Sequence, residues 1–194
     1  MGFITGIGPL IEATDRISQL TVTDVQVHGI ASIGISGQVQ SILTRCCADS
    51  CGDIGMVGDI VRDSTAAQVG GVGILAGNAT NSNAASIDGT SFYIRENATD
   101  CHGIGTTATG LQVVGNASQC NGSSTQDIGF ICQGNATNCY GLSLSLPAIF
   151  CNGTATACRG KRDGAVAIQA AIAVPCTVEG TGTVFAASKH LGTP

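Results

Sequence analysis

The chain has 194 residues, of which 28 are glycine, 4% are aromatic and 11% are charged, against roughly 25% charged residues in an average soluble domain. It is too apolar for a disordered chain and too rich in small and turn-forming residues for a helical one, and this balance favours short strands joined by tight turns. The net charge of −5, without a basic cluster beyond Lys161 and Arg162, argues against a nucleic-acid partner, and the apolar runs are too short for a membrane span.

Residues 1–26 are apolar but weakly periodic. The opening MGFITGIGPLI has no basic region and no small-residue cleavage site, so we expect no secretory signal. LTVTDVQV at 20–27 alternates like a strand. We interpret 1–26 as a cap, a lead-in to the repeats or a self-association segment, because the terminal unit of a repeat protein has to cover its open end.

One phrase then recurs with a period of about 19 residues. It reads GNATNSN at 77–83, ENATDCHG at 96–103, GNASQCNG at 115–122 and GNATNCYG at 134–141, with a diverged copy, GTATACRG, at 153–160. A fixed period of this length is typical of a solenoid. The sequence predicts an all-β fold, a single-stranded parallel β-helix (β-solenoid) with about 19 residues per coil over residues 27–178, followed by a terminal strand and tail at 179–194.

When the sequence is written in rows of about 19 residues, apolar positions also align in columns. The two columns that the spacing predicts to point inward are Ile35, Ile54, Gly73, Phe92, Leu111, Phe130, Ile149, Ile168 and, two places on, Gly37, Met56, Leu75, Ile94, Val113, Cys132, Cys151, Ala170. Two inward positions around one outward position are typical of a short strand. We expect each coil to turn at Gly-Asn with positive φ, to bury the following alanine, and to turn again near Cys-x-Gly.

Residues 160–194 leave this register. GKRDG at 160–164 indicates a charged turn, and AVAIQAAIAV indicates one more coil of strands or a short covering helix. EGTGTVFAASKHLGTP indicates the final strand and the tail.

GLQVVGNASQCNG and IGFICQGNATNCYG resemble the right-handed parallel β-helix proteins of the pectate-lyase-like superfamily, and the resemblance covers about residues 20–185. A left-handed hexapeptide helix is the alternative with short coils, but its regular V-G-x-x-x-x rhythm is not sustained. The resemblance therefore implies a right-handed coil. The superfamily includes polysaccharide lyases and hydrolases, phage tailspikes and adhesins, so the resemblance implies a fold and no single activity.

Both catalytic classes of this superfamily, the lyases and the hydrolases, would need a cluster of acidic residues. The lyases need an acidic calcium cluster with a basic residue, and the hydrolases need several aspartates with a histidine. Asp49, Asp53, Asp59 and Asp63 crowd one coil without partners in the next, so we interpret them as a solvated acidic edge. His28 and His102, each before a glycine, resemble the Gly-His-Gly of polygalacturonases but lack paired aspartates. We expect no catalytic residues and no enzyme.

Asparagines at one turn of successive coils predict a ladder of side-chain hydrogen bonds. The alternative is a regular polar face that binds carbohydrate or ordered water on ice. The candidate residues of this face are Asn78, Asn97, Asn116, Asn135, Thr80, Thr99, Ser118 and Thr137. The first four also form N-x-S/T sequons, as do Asn121 and Asn152. Because turn chemistry already accounts for four of the six, we do not expect glycosylation.

Ten cysteines raise a question of redox state. Neighbouring coils are about 4.8 Å apart, within the disulfide window of roughly 4.4–6.8 Å between Cα atoms. The pairs Cys101–Cys120, Cys139–Cys158 and Cys132–Cys151 are therefore sterically allowed. Side chains in parallel register tend to point alike, so we favour an inward stack of structural thiols. A single column does not give the tetrahedral convergence that zinc requires, and we expect no metal and no cofactor.

The sequence thus predicts a non-enzymatic structural or binding β-solenoid. We expect it to associate with itself as part of a surface fibre, an appendage or a virion-type structure, at an extracellular or surface location. Glycans are the second partner class. A carbohydrate-binding or polysaccharide-degrading module of pectate-lyase-like fold is the alternative, and an ice-binding protein is the less favoured one.

Overall fold

The computed structural model describes residues 20–37 and 40–189, together with the backbone of residues 5–7. Within these ranges the protein is all β, with parallel strands stacked about 19 residues apart into a β-solenoid of about nine turns. Each complete coil contributes three strand segments, which form three parallel ladders along the solenoid. None of the described segments is a helix that could cross a lipid bilayer.

The ladders define three faces. Face 1 contains β1 (Thr5–Ile7), β4 (Ile33–Ser36), the first parts of β7 (Ile54–Arg62) and β9 (Val72–Thr80), β11 (Phe92–Ile94), β14 (Leu111–Val113), β17 (Phe130–Cys132), and the first parts of β20 (Ile149–Thr156), β22 (Val166–Val174) and β24 (Thr183–Lys189). Face 2 contains β2 (Leu20–Thr23), β5 (Ser41–Thr44), the second parts of the five long strands, β12 (Ala98–Thr99), β15 (Ala117–Ser118) and β18 (Ala136–Thr137). Face 3 contains β3 (Gln26–His28), β6 (Cys47–Asp49), β8 (Thr65–Val69), β10 (Asn83–Ser86), β13 (His102–Gly105), β16 (Asn121–Ser124), β19 (Tyr140–Ser143), β21 (Arg159–Lys161) and β23 (Thr177–Glu179).

The core is a column of large apolar side chains on the inner side of face 1. Nine residues in ladder register form it, and all are buried: Ile35, Met56, Ile74, Phe92, Leu111, Phe130, Ile149, Ile168 and Val184. The inward placement predicted from Phe92 onward is confirmed. The small alanines predicted to be buried on face 2 (Ala79, Ala98, Ala117, Ala136, Ala155) are also confirmed, with exposures of 3% or less.

The predicted register was wrong in the first coils. Ile35 pairs with Met56 rather than with Ile54, and Met56 pairs with Ile74 rather than with Leu75. Equivalent positions there are separated by 21 residues in one coil and by 18 residues in the next, so a uniform period misaligns them. As a result Leu75, which was predicted to point inward, alternates to the outer side of face 1.

A single residue with positive φ makes the turn from face 2 to face 3. It occupies the same position in eight successive coils, with φ between 47° and 58°: Asp24, Arg45, Asp63, Asn81, Asp100, Gln119, Asn138 and Ala157. Five of the eight are Asp or Asn, the residues that tolerate the left-handed region best after glycine. The prediction that the Gly-Asn dipeptides adopt positive φ was therefore wrong.

The repeat glycines serve close approach instead. A Cβ on Gly115 would lie 2.1 Å from the carbonyl oxygen of Glu96 in the preceding coil. A Cβ on Gly103, inside β13, would lie 2.1 Å from the carbonyl oxygen of Gly110. Both distances are below any real Cβ contact, so these positions require glycine for space and not for a turn.

The C-terminal part continues the stack. AVAIQAAIAV forms strand β22, and no helix covers it in the described part of the chain. Val184 of β24 closes the described core column against Ile168. Stacked strands run from Leu20 to Lys189, beyond both limits of the 27–178 segment, whereas residues 1–4, 8–19 and 190–194 of the predicted cap and tail lie outside the described residues.

Candidate functional site

The polar side chains of face 2 form two parallel rows, one on each side of the buried alanines. In the first row each asparagine Oδ1 accepts a hydrogen bond from the backbone N–H of the equivalent residue one coil on. The N···O distances are 3.2 Å for Asn78 to Asn97, 3.1 Å for Asn97 to Asn116, 2.9 Å for Asn116 to Asn135 and 2.9 Å for Asn135 to Thr154. The amide oxygens are thus committed to the next coil.

The hydrogen bonds that the amide nitrogens of this row donate are longer than those that its amide oxygens accept, except at Asn78. Asn116 Nδ2 lies 3.4 Å from Asn97 Oδ1, and Asn97 Nδ2 lies 3.5 Å from Asn78 Oδ1. Asn78 Nδ2 donates to Glu96 Oε2 at 2.6 Å. The row ends at Thr154, whose side chain is too short to continue it.

The second row of face 2 consists of hydroxyl groups at least partly open to solvent. Among the described residues they make no hydrogen bond, and they belong to Thr80, Thr99, Ser118 and Thr137. A shallow open depression runs between the two rows from Asn97 to Thr137. The structure therefore brings together the residues predicted as a polar face, with the hydroxyls as its free groups.

The cysteine column lies at the inner corner directly after the positive-φ residue. The ladder of face 3 shows that it is longer than the predicted four cysteines. It comprises Cys46, Ser64, Ser82, Cys101, Cys120, Cys139, Cys158 and Cys176, all with exposures of 2% or less.

Every member of this column contacts the carbonyl two residues earlier, across the one-residue turn. The Sγ of Cys120 donates to Ser118 O at 3.2 Å, and the Oγ of Ser82 donates to Thr80 O at 2.9 Å. Cys101, Cys139 and Cys158 repeat the contact at 3.3 to 3.4 Å. Serine and cysteine share the position because each is a small side chain with one donor.

Neighbouring thiols of the column also shift one another's pKa. The hydrogen bond between the Cys101 thiol and the Cys120 sulfur, together with burial, raises the pKa of Cys101. Hydrogen bonds to the sulfurs of Cys120 and Cys158, with burial, raise the pKa of Cys139 in the same way. Cys46 is separated from the other cysteines of the column by Ser64 and Ser82, and burial is the main cause of its raised pKa. Such thiols are poor nucleophiles because the thiolate is the reactive form.

A second, shorter column holds Cys132 and Cys151 on the inner side of face 1. Their Sγ atoms donate to the carbonyls of Gly115 and Gly134, each at 3.3 Å. All ten cysteines are free thiols in the structure, and Cys47 alone is only partly buried.

The interpretation of the aspartates as one acidic edge was wrong. Asp49 lies on face 3, where its Oδ2 is 2.7 Å from His28 Nδ1. Asp63 lies at the turn into face 3 and accepts a hydrogen bond from Asn81 Nδ2 at 2.7 Å. Asp53 precedes β7, and Asp59 lies within it at the corner of faces 1 and 2. The chain path around the coil separates these carboxylates, so they do not act as one group.

Face 3 carries a charged and aromatic cluster from three successive coils. The guanidinium of Arg159 lies over the ring of Tyr140, 5.1 Å from its centroid, and its Nε is 3.1 Å from Glu179 Oε1. Repeat analysis missed this cluster because a different residue type occupies the position in each coil, so no column marks it. Only the ladder register, which pairs Tyr140 with Arg159, brings its members together.

Metal ligands do not converge in the described part of the chain, where no group of three or more His, Cys, Asp or Glu could hold an ion. No family model matches the chain, and comparisons with curated proteins and with solved structures gave no match. The assignment of the fold therefore depends on the strand pairing and burial in this structure.

Proposed function

We propose that this protein is a non-enzymatic structural β-solenoid that associates with itself end to end, as a component of a surface fibre, an appendage or a virion-type structure. The observation that carries the proposal is the strand stack itself. Among the described residues, β3 and β23 are the terminal strands of the nine-stranded ladder of face 3. A terminal strand presents unpaired N–H and C=O groups that match a further parallel strand.

The internal chemistry supports a structural role. The asparagine row acts as a ladder in this proposal, because its oxygens bind the next coil rather than a ligand. The cysteine column acts as a ladder of turn-closing thiols. The asparagine row fastens each coil to the next, and the cysteine column fixes the turn within each coil. We also propose a right-handed coil and an extracellular or surface location, as in the superfamily that the repeat resembles.

The oligomeric state tests this proposal. Purified full-length protein is measured by light scattering over a concentration series and imaged by negative stain. Rods that lengthen with concentration are expected. A monodisperse monomer at every concentration would overturn the proposal.

A carbohydrate-binding module is the second candidate. The observation in its favour is the Tyr140–Arg159–Glu179 cluster, which combines acidic, basic and aromatic groups from three neighbouring coils on one face. Against it, Arg159 already covers the Tyr140 ring and pairs with Glu179. A glycan array with the Arg159→Ala variant as the control tests it, since binding by the intact protein alone supports a glycan site. An ice-binding face is the less favoured candidate, and it would use the free hydroxyl row of face 2.

A further inference from the structure

The outer side of face 1 carries a row of large apolar side chains that lie outside the core. Each residue stands between two inward positions, and the ladder pairs it in register with its equivalent in the next coil. The members, named the apolar stripe, are Val57, Leu75, Tyr93, Ile131, Phe150 and Phe185. The first five are partly exposed, and Phe185 is 61% exposed. Three polar residues, Ser36, Gln112 and Gln169, complete the row, which therefore has nine members with Gln112 as the fifth.

The outer rows of the other two faces are polar or mixed. Those of face 2 are asparagine, threonine and serine over four coils, from Asn78 to Thr137. On face 3 the outer row that starts each strand reads Thr65, Asn83, His102, Asn121, Tyr140 and Arg159. The second outer row of face 3 reads Ala85, Ile104, Ser123, Leu142 and Lys161. Among the outer rows of the described faces, this is the row in which large apolar side chains follow one another over several coils, and such continuity favours an interaction surface.

We propose that the apolar stripe is the contact between two copies of this chain that pack face to face and antiparallel. The inference rests on the proposed self-association and assigns it a lateral surface. Gln112 lies at the centre of the row, paired with Tyr93 on one side and with Ile131 on the other. A two-fold axis through Gln112 along the strand direction sets Tyr93 against Ile131 of the second copy, and Leu75 against Phe150.

In this arrangement each central residue of the stripe has a matching partner in the second copy. The two apolar pairs each occur twice by symmetry, as an isologous interface requires. The two Gln112 amides face each other, and each has both a donor and an acceptor for the contact. The row itself contains no charged residue, and the neighbouring Asp59, Arg95 and Glu96 lie beside Val57 and Leu75, where they would form the rim of the contact.

The size of the face is sufficient for a weak dimer. Nine coils at about 4.8 Å give a length of roughly 40 Å, and face-1 strands of three or four residues at about 3.3 Å each are roughly 10–13 Å wide, so the face would bury about 400–500 Å² per copy. The total of about 800–1,000 Å² lies below the range of stable specific interfaces and in that of weak, transient ones. A reversible contact is therefore expected, strengthened where several copies are already aligned end to end.

Charge substitutions in the stripe test the inference. Tyr93→Lys and Ile131→Glu each place a charge in the apolar contact, and each is expected to raise the dissociation constant of the lateral pair by about tenfold or more. The double variant brings the new lysine of one copy against the new glutamate of the other and is expected to recover most of the loss. Ile104→Lys on face 3, where the side chain is 46% exposed, is the matched control and should change nothing.

The measurement is sedimentation velocity over a concentration series, with negative-stain images of rod width. Particles of double width that become single in each variant, and double again in the double variant, support the inference. A double-width particle that never lengthens would support it and overturn end-to-end association.

Three results would count against the inference. Single-width rods of the unmodified protein would overturn it and leave end-to-end association standing. Loss in both single variants without recovery would overturn the antiparallel pairing. A monomeric unmodified protein would overturn the proposed function as well.

Discussion

The Oδ1 of Asn116 lies 2.9 Å from the backbone nitrogen of Asn135, one coil further along the solenoid. This side chain therefore bridges two coils at a position where the backbone ladder turns a corner. Asn116→Ala is expected to lower the free energy of unfolding by about 1 kcal/mol, the scale of one hydrogen bond near solvent. Urea unfolding measures the change.

Asn121→Ala, at an exposed asparagine outside the row, should leave the free energy of unfolding nearly unchanged. A loss from Asn116→Ala as large as that from a core substitution would contradict the assignment of the row to the outer side of the coil.

Phe130 and Phe150 are aromatic residues of adjacent coils on opposite sides of face 1. Phe130 is fully buried in the core column, whereas Phe150 points outward. Phe130→Asp is expected to abolish folding, because it removes a large side chain and buries a charge, at a cost of more than about 5 kcal/mol. Phe150→Asp should leave a folded protein. Circular dichroism and thermal unfolding of both variants give the comparison, and equal losses would mean that the two sides are misassigned.

Ala157 adopts φ +51° at the turn from face 2 to face 3, where five of the seven equivalent residues are Asp or Asn. The left-handed conformation costs an L-residue without a polar side chain about 1–2 kcal/mol. Ala157→Gly is expected to stabilise the protein by roughly 0.5–1 kcal/mol, after the entropic cost of glycine.

The matched control for this turn is Ala136→Gly, at a buried alanine of β18 on the same face. It should destabilise by roughly 1 kcal/mol, because glycine in a strand gains no conformational relief. Chemical unfolding of both variants measures whether each substitution raises or lowers the free energy of unfolding. A loss from Ala157→Gly would indicate that the turn does not strain alanine.

The fold was predictable because a regular period constrains both the turns and the inward positions. Phe92, Leu111 and Phe130 were placed correctly since their coils have equal length. The register failed at Ile54 and Gly73, where a longer and a shorter coil carry no turn phrase to mark the change. That error hid the apolar stripe by assigning Leu75 to the core.

Local sequence also misled the assignment of turns. Gly-Asn is a strong turn signal, yet here Gly115 provides space for Glu96, and the turn falls later in the coil at Gln119. The Cys46–Cys176 column shows the reverse case. A search that treats serine and cysteine as equivalent small donors extends the column by one period to Ser82, but Ser64 and Cys46 follow at intervals of 18 residues and are found only with the shorter coil length.

The redox state of the cysteine columns has a direct measurement. As free thiols, all ten cysteines should react with a thiol reagent in denaturant without reductant, whereas the three sterically allowed disulfides would leave four. In the native protein Cys47 should react first, because it alone is partly exposed. A denatured count of four would overturn the thiol stack and favour the disulfides.

The raised thiol pKa values give stability a dependence on alkaline pH. In the folded protein, hydrogen bonds to neighbouring sulfurs and burial raise the pKa of Cys101, Cys139 and Cys176 above that of an unfolded thiol, about 8.5. Below that pH these three thiols are protonated in both states and do not change the free energy of unfolding. Above it the unfolded chain releases protons that the folded chain keeps, so the free energy of unfolding falls with rising pH, by about 1.4 kcal/mol per pH unit for each such thiol.

Urea unfolding under reductant at a series of pH values from neutral to about one unit above the unfolded thiol pKa measures this slope. The triple variant C101S, C139S, C176S is the control. It should fold, since Ser64 and Ser82 already occupy equivalent positions of the column, and its stability should fall clearly less with rising pH because a serine hydroxyl does not titrate in this range. An equal slope in the variant would mean that other groups cause the alkaline loss.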